Sequence, residues 1–285
     1  MTDPHYILTI RCRDAAGIVA SVSSALSQSG AFITESSHFG DEGTGLFFMR
    51  TVFRAPGTPS TTMESFRAVL APIEKTFEME MALHDKRKAM KVMLAVSKHG
   101  HCLNHLLHRW HSNELPIEVA GVISNHEDMR SLVEWYGLPY HFLPMKGDKA
   151  TQEALLLDTF ESSGAELLVL ARYMQVLSDD LCRKLDGRCI NIHHSFLPSF
   201  KGAKPYHQAH GRGVKVVGAT GHYVTADLDE GPIIEQDTVR VDHAMDAADF
   251  VQLGKDVENI VLARAVQWHA EHRVLLNGHR TVVFR

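Results

Sequence analysis

The 285-residue sequence contains few cysteines, and none of them is paired in a metal-binding or redox motif. The four cysteines, Cys12, Cys102, Cys182 and Cys189, are far apart or wrongly spaced for a Cys-x-x-Cys pair. Both a disulfide-stabilised secreted scaffold and a zinc knuckle are therefore disfavoured. We expect reduced thiols and a cytoplasmic protein.

Long apolar runs and an excess of basic residues are also missing. No stretch approaches the roughly 18 apolar residues of a membrane span, and the first residues, MTDPH, lack the layout of a signal peptide. Lys and Arg total 29 against 34 Asp and Glu, for a formal charge of −5. This balance argues against a general nucleic-acid binder. We expect a globular chain of one or two domains, without membrane or nucleic-acid partners.

The first eighty-odd residues follow their own pattern. Short β-branched or apolar stretches at 6–10, 32–39, 46–53 and 78–84 predict strands, and apolar residues at helical spacing predict helices after Gly17 and over 66–77. The order βαββαβ is that of a ferredoxin-like domain. Asp14 is expected to cap the first helix and Gly30 to end it.

A charged stretch, DKRK at 85–88, separates this region from a different pattern. We therefore predict one domain over 1–85 and a second over 86–285. In the second, apolar strands at 92–96, 117–123, 140–143 and 167–170 alternate with helices, which predicts an α/β fold with a mostly parallel sheet. Such folds place their chemistry in loops at the strand ends.

The densest polar region lies between 191 and 231. Asn191 and His193 lie two positions apart on a predicted strand, so their side chains share a face. An amide and an imidazole side by side can bind a carbonyl oxygen and move a proton. Asp229 lies in an acidic turn, DLDEGP at 227–232, and a carboxylate beside a histidine fixes its tautomer.

The 19 histidines also allow a second interpretation, a metal site. Candidate zinc ligands are His193, His194, His207, His210, His222 and Asp229. However, His207 and His210 lack the glutamate of His-Glu-x-x-His, and adjacent residues on a strand face opposite sides. We expect no metal. On the helix after Gly100, we expect the stripe His101, His105 and His108 to be solvated.

Four segments in one consistent order carry a family resemblance: NIHHSFLP at 191–198, GAKPYHQA at 202–209, GATGHYV at 218–224 and LDEGPII at 228–234. They resemble the folate-dependent formyltransferase superfamily. The transformylases of this superfamily usually have proline at the position of His194. Histidine at this position resembles the form found in its deformylases. The N-terminal region resembles the ACT domain that deformylases carry.

The resemblance implies a reaction and a set of site residues. The catalytic asparagine, histidine and aspartate correspond to Asn191, His193 and Asp229, with His222 and His194 beside them. The folate-binding stretch corresponds to Arg172, Tyr173, Met174, Gln175, Val176 and Leu177. The implied reaction is hydrolysis of 10-formyltetrahydrofolate to formate and tetrahydrofolate, without a cofactor. The formate would supply purine biosynthesis or rebalance one-carbon folates.

Two alternatives remain open from the sequence. Formyl transfer to an amine such as glycinamide ribonucleotide is one, although the bulky loop SKHGHCLN at 97–104 would crowd a phosphate. The other is an inactive amino-acid sensor. The ACT resemblance implies methionine or glycine as an effector near Asp14, Gly17 and Gly30, and we also expect a homo-oligomer.

Overall fold

A computed structural model describes residues 3–56, 61–198 and 205–285. Residues 202–204 of the second family segment lie outside these ranges. The chain forms two compact units. The first contains Met1–Ala89, Glu271–Asn277 and Val282–Arg285, and the second contains Met90–Ala270 and Gly278–Thr281.

The first unit has the predicted βαββαβ order, which confirms the ferredoxin-like fold. Its elements are β1 His5–Arg13, α1 Ile18–Gln28, β2 Phe32–Asp41, β3 Leu46–Arg54, α2 Met63–Thr76 and β4 Glu80–Asp85. The antiparallel sheet has the order β2-β3-β1-β4. Alternate residues of β1, such as Leu8 and Ile10, are fully buried and pack against apolar residues of both helices.

The start of α1 differs from the prediction. Its N-cap is Gly17, in the left-handed region with φ 94°, and no side chain caps the helix. The prediction that Asp14 caps α1 is therefore wrong. The backbone N–H of Asp14 instead donates to the carbonyl of Gly45, because the chain leaves β1 alongside the β2–β3 turn. Gly30 does follow the helix end, with φ 78°.

The C-terminal segments complete the first unit, so a single boundary at residue 85 does not describe it. Strands β12 Val274–Asn277 and β13 Arg280–Val283 pair with each other. Arg50, only 2% exposed, donates through Nε and Nη2 to the carbonyl of Glu271 at 3.2 and 3.0 Å, and through Nη1 to Glu35 at 2.6 Å. Asn277 donates to Asp41 at 2.7 Å. The contacts of Arg50 with Glu271 and of Asn277 with Asp41 join positions more than 200 residues apart, which no local pattern could indicate.

The second unit contains a seven-stranded sheet in the order β11-β10-β9-β8-β5-β6-β7. Strands β5 to β9 are parallel to one another, whereas β10 is antiparallel to both β9 and β11, so the predicted mostly parallel sheet is confirmed. Its strands are β5 Met90–Val96, β6 Ile117–Ser124, β7 Tyr140–Phe142, β8 Leu167–Leu170, β9 Cys189–His193, β10 Val216–Tyr223 and β11 Ile233–Arg240.

Helices connect and cover these strands. They are α3 His101–His111, α4 Arg130–Trp135, α5 Lys149–Ser162, α6 Asp179–Lys184, α7 Pro205–Gly211 and α8 Ala247–Ala270. The central strands β5 and β8 are almost entirely buried, as expected for parallel strands covered on both faces. Within the described ranges, no helix is both long enough and apolar enough to cross a membrane, and the 24-residue α8 is too polar.

Candidate active site

A cavity of about 640 Å³ lies in the second unit, where β5, β8 and β9 end. Parallel strands ending together bring the loops that follow them to one edge of the sheet. The cavity is lined by every residue that the sequence analysis placed at catalysis or folate binding: Asn191, His193, Asp229, Arg172, Tyr173, Met174, Gln175, Val176, Leu177, His194 and His222. Asp14, Gly17 and Gly30, the predicted effector residues, belong to the first unit.

His193 and Asp229 form the central pair of the site. His193 Nδ1 lies 3.2 Å from Asp229 Oδ1, and the imidazole is only 4% exposed. An ionised carboxylate can only accept a hydrogen bond, so Nδ1 carries the proton and donates a hydrogen bond to Asp229. The other ring nitrogen, Nε2, is buried and has no hydrogen-bond partner among the described residues. The pair thus presents one unused imidazole nitrogen in the cavity wall.

The backbone of Asp229 has an unusual conformation. Its φ is 59°, in the left-handed region that disfavours most residues other than glycine, asparagine and aspartate. Burial by itself raises the pKa of its carboxyl, but the hydrogen bond from His193 and the nearby histidines outweigh burial, and the pKa lies below its usual range. Asp229 is therefore a carboxylate at neutral pH.

His222 and Asn191 face each other across the antiparallel pairing of β9 and β10. His222 Nδ1 lies 2.8 Å from the carbonyl of Tyr223, and its Nε2 lies 3.3 Å from Asn191 Nδ2. Burial lowers the pKa of His222, so the ring is neutral. Nδ1–H then donates to the carbonyl, and Nε2 accepts one N–H of Asn191. The second N–H of that amide is left to bind a ligand in the cavity.

The Arg172–Leu177 loop is held by a residue that the sequence analysis did not place in the site. Ser97, which follows β5 and is 3% exposed, donates its N–H to the carbonyl of Arg172 and accepts the N–H of Met174 at Oγ. Its hydroxyl donates to Asn125 at 2.8 Å. Ser97 and Asn125 each follow a predicted parallel strand, and polar residues at such strand ends are a signal that could have identified them.

A second buried group of polar residues borders the same cavity, and we refer to Glu258, His101, Tyr206 and Arg172 as the Glu258 cluster. Glu258, on α8, is 1% exposed. Its carboxylate accepts from Tyr206 Oη at 2.8 Å, lies 2.8 Å from His101 Nε2 and 3.5 Å from Arg172 Nε. The prediction that His101 is solvated is therefore wrong, because α3 packs against α8 and turns this histidine toward Glu258.

His194 lies between the two groups. Its ring centroid is 5.2 Å from that of His193 and 6.2 Å from that of Tyr206. The prediction that His193 and His194 face opposite sides is wrong, because β9 ends at His193 and the alternation stops there. Burial, followed by the charge of Arg172, lowers the pKa of His194 to about 4, so it is neutral.

One group of potential metal ligands occurs in the described part of the chain. Suitable atoms of His101, Cys102 and Glu258 lie within 4.8 Å of one another. The Arg172 guanidinium, however, is already beside this carboxylate, and a positive charge there repels a cation. Burial also holds the pKa of Cys102 well above its usual value, which disfavours the thiolate that metals bind.

The sequence pattern of the formyl transferase family matches residues 90–266. The formyltetrahydrofolate deformylase of Corynebacterium sp. (strain P-1) is 50% identical over 282 residues, which cover 99% of this chain and 98% of that protein.

Solved structures give the same grouping. A formyltetrahydrofolate deformylase from Pseudomonas syringae pv. tomato superposes with a TM-score of 0.96 at 48% identity, covering all of this chain and 96% of the other. A glycinamide ribonucleotide transformylase 1 from Symbiobacterium toebii has a TM-score of 0.64 at 29% identity and covers 69% of this chain and 95% of its own. The full-length similarity is thus to deformylases, and the chain belongs to the formyltetrahydrofolate deformylase family.

Proposed function

We propose that this chain hydrolyses 10-formyltetrahydrofolate to formate and tetrahydrofolate. The observation that carries the proposal is the His193–Asp229 pair, 3.2 Å apart, which lines one cavity with Asn191. His193 Nε2 in this pair is buried and has no hydrogen-bond partner in the part of the chain that the structure describes. The relatives that match over the full chain are deformylases by name. No metal or cofactor is needed for the chemistry proposed below.

The proposed reaction uses each of the three side chains in turn. His193 Nε2 takes a proton from a water molecule whose oxygen attacks the formyl carbon, while Asp229 stabilises the imidazolium that forms. The free N–H of Asn191 donates to the oxyanion on that carbon. The bond from carbon to N10 then breaks, and His193 returns the proton to that nitrogen. The products are formate and tetrahydrofolate.

The Arg172–Leu177 loop is proposed to bind the folate. Two of its apolar side chains, Met174 and Val176, are exposed at 52% and 58%, and these suit the flat face of a pterin ring. The loop also lines a neighbouring cavity of about 400 Å³. Ser97 fixes its first residues, so a rigid backbone is presented to the ligand.

We further propose the wider setting that the sequence resemblance implies. The four cysteines are free and buried, which suits the cytoplasm. The formate would serve purine synthesis or the balance of one-carbon folates. The first unit would act as an ACT-like regulatory domain that binds methionine or glycine and supports a homo-oligomer.

The direct test incubates the purified protein with 10-formyltetrahydrofolate and measures formate and tetrahydrofolate. We expect equimolar products, with a rate that survives EDTA. Adding glycinamide ribonucleotide should leave formate release unchanged and yield no formylated nucleotide. Failure to release formate, or efficient formylation of the nucleotide, would contradict the proposal. Loss of activity on chelation with rescue by zinc would instead indicate a metallohydrolase.

A further inference from the structure

The cavity contains two carboxylates among its described lining residues, Asp229 and Glu258. Asp229 Oδ1 lies 3.2 Å from His193 Nδ1 and 3.8 Å from His222 Nε2, so this carboxylate is part of the catalytic pair. Glu258 is the other carboxylate that could receive an N–H or O–H group of a bound molecule. An enzyme that formylates an amine has to hold that amine in line with the formyl carbon, and a carboxylate is a strong acceptor for its N–H groups. The state of Glu258 therefore bears directly on which acceptors the site can use.

The carboxylate of Glu258 is engaged on both oxygens. Oε1 accepts the hydroxyl of Tyr206, and Oε2 lies 2.8 Å from His101 and 3.5 Å from Arg172. Burial by itself raises the pKa of Glu258, but these partners outweigh burial and hold the pKa below its usual value. The carboxylate is thus ionised and buried, and groups of the protein itself stabilise its charge.

The position of Tyr206 is built into α8. Gly254 lies one helical turn before Glu258 on the same face of the helix. A Cβ at Gly254 would lie 2.1 Å from Tyr206 Cζ, so only glycine leaves room for this ring. The ring is 6% exposed, and its hydroxyl meets the carboxylate four residues further along. His194 then connects Tyr206 to His193 through ring contacts.

We propose that Glu258 is a specificity-determining residue whose engagement by His101, Tyr206 and Arg172 denies the site an acceptor for amines, so that water receives the formyl group. The inference rests on the proposed hydrolysis. Water needs no such carboxylate, because His193 Nε2 can accept its proton. With an amine acceptor, a bond from its nitrogen to the formyl carbon would form, the bond to N10 would break, the amine would lose a proton and N10 would gain one.

The test frees Glu258 and measures how the formyl group is divided between two acceptors. The variant His101→Ala/Tyr206→Phe removes two partners, and glycinamide serves as the amine. The wild-type protein should give formate only, after subtraction of the reaction without enzyme. In the double variant, the ratio of formylglycinamide to formate should exceed the wild-type detection limit about tenfold or more, as expected for one hydrogen bond to a charged group.

Two further variants separate specificity from damage to the fold. Adding Glu258→Gln to the double variant should return the ratio to that of the wild type, because the gain depends on the freed carboxylate. The matched variant His108→Ala/Tyr136→Phe makes the same changes outside the cavity and should leave the ratio unchanged. Because a ratio of products is measured, a general loss of rate does not affect it.

Specific outcomes would overturn the inference. It is overturned if the wild type already formylates glycinamide, if the double variant releases formate with an unchanged ratio, or if the gain persists with Glu258→Gln. The single variant Tyr206→Phe, which removes one hydroxyl, decides the matter if the double variant does not fold. A wild-type protein that releases no formate would instead contradict the proposed function itself.

Discussion

Asp229 has a chemical role, through its carboxylate, and also an unusual backbone conformation. Its carboxylate holds His193 at 3.2 Å, and its φ of 59° places that carboxylate over the strand end. Aspartate and asparagine tolerate this conformation because their short polar side chains bond locally, whereas alanine does not. Substitution by asparagine and by alanine can therefore separate the loss of the carboxylate from the cost of the left-handed backbone conformation.

We expect Asp229→Asn and Asp229→Ala each to lower kcat about 10²-fold or more, because both remove the carboxylate that supports His193. The free energy of unfolding should distinguish them, with alanine about 1 kcal/mol less stable because of the left-handed backbone. Steady-state formate release and urea unfolding measure the two quantities. Asp227→Asn, an exposed neighbour, should behave as wild type. Wild-type kcat in both Asp229 variants would refute the proposed mechanism.

At the scale of elements, the loop between β10 and β11 determines where Asp229 lies. Gly231 passes so close to β10 that a Cβ would lie 1.8 Å from the carbonyl oxygen of Tyr223 and 3.3 Å from His222 Nδ1. The loop returns to the sheet at this point, where the N–H of Tyr223 donates to the carbonyl of Pro232. A side chain at 231 would force the loop away from the strand that carries His222.

Gly231→Ala should therefore displace Asp229 from His193 and reduce kcat about 10²-fold, the usual scale for a displacement near 1 Å at a reacting group. The measurement is formate release at saturating substrate, with circular dichroism to follow the fold. Gly211→Ala, where a Cβ would meet nothing within 4 Å, is the matched control and should keep wild-type activity. Equal activity in the two variants would show that the loop tolerates the added methyl group.

The elements differ in how well the sequence predicted them. Strands β5 and β8 were predicted within two residues, because continuous apolar runs are typical of strands buried on both faces. The alternation of Asn191 and His193 correctly indicated a shared face, since β9 extends through both residues. Local pattern and tertiary position agree in these cases.

The errors arose where distant residues determine the environment. His101 was predicted to be solvated because it lies off the apolar face of α3, but its partner Glu258 is 157 positions away. Asp14 has the right side chain for a cap, yet the helix begins after Gly17, and Asp14 bonds to the β2–β3 turn instead. Spacing along one element cannot report the partner that another element supplies.

At the scale of the whole molecule, the chain does not divide at one point. Glu271–Asn277 and Val282–Arg285 return to the first unit after the second has been completed. The buried guanidinium of Arg50 donates two hydrogen bonds to the carbonyl of Glu271. A fragment that starts near Lys86 would keep these segments and lose their partners. Separating the units therefore requires the tail to stay with residues 1–89.

Acid stability is a further property of the whole molecule, and His269 near the end of α8 contributes to it. Burial lowers the pKa of His269 to about 4. Its Nδ1 lies 2.6 Å from the hydroxyl of Tyr223, which donates to the neutral ring. In the unfolded chain the same imidazole has a pKa near 6.5. Between pH 4 and pH 6.5, His269 is therefore protonated in the unfolded chain and neutral in the folded protein.

The free energy of unfolding should therefore fall as the pH drops from about 6.5 to about 4. Above pH 7, His269 is neutral in both states, so its titration should add no pH dependence. His269 should contribute on the order of 2 kcal/mol to this loss, somewhat less than full burial would give because the residue is partly exposed. His269→Gln keeps an acceptor for Tyr223 but cannot ionise, so its urea midpoint should change less between pH 7 and pH 5. His279→Gln, at an exposed histidine, should retain the wild-type dependence. If His269→Gln loses stability with the same slope as the wild type, the acid sensitivity comes from other groups. The partly buried His194 is then the first to test by the same substitution.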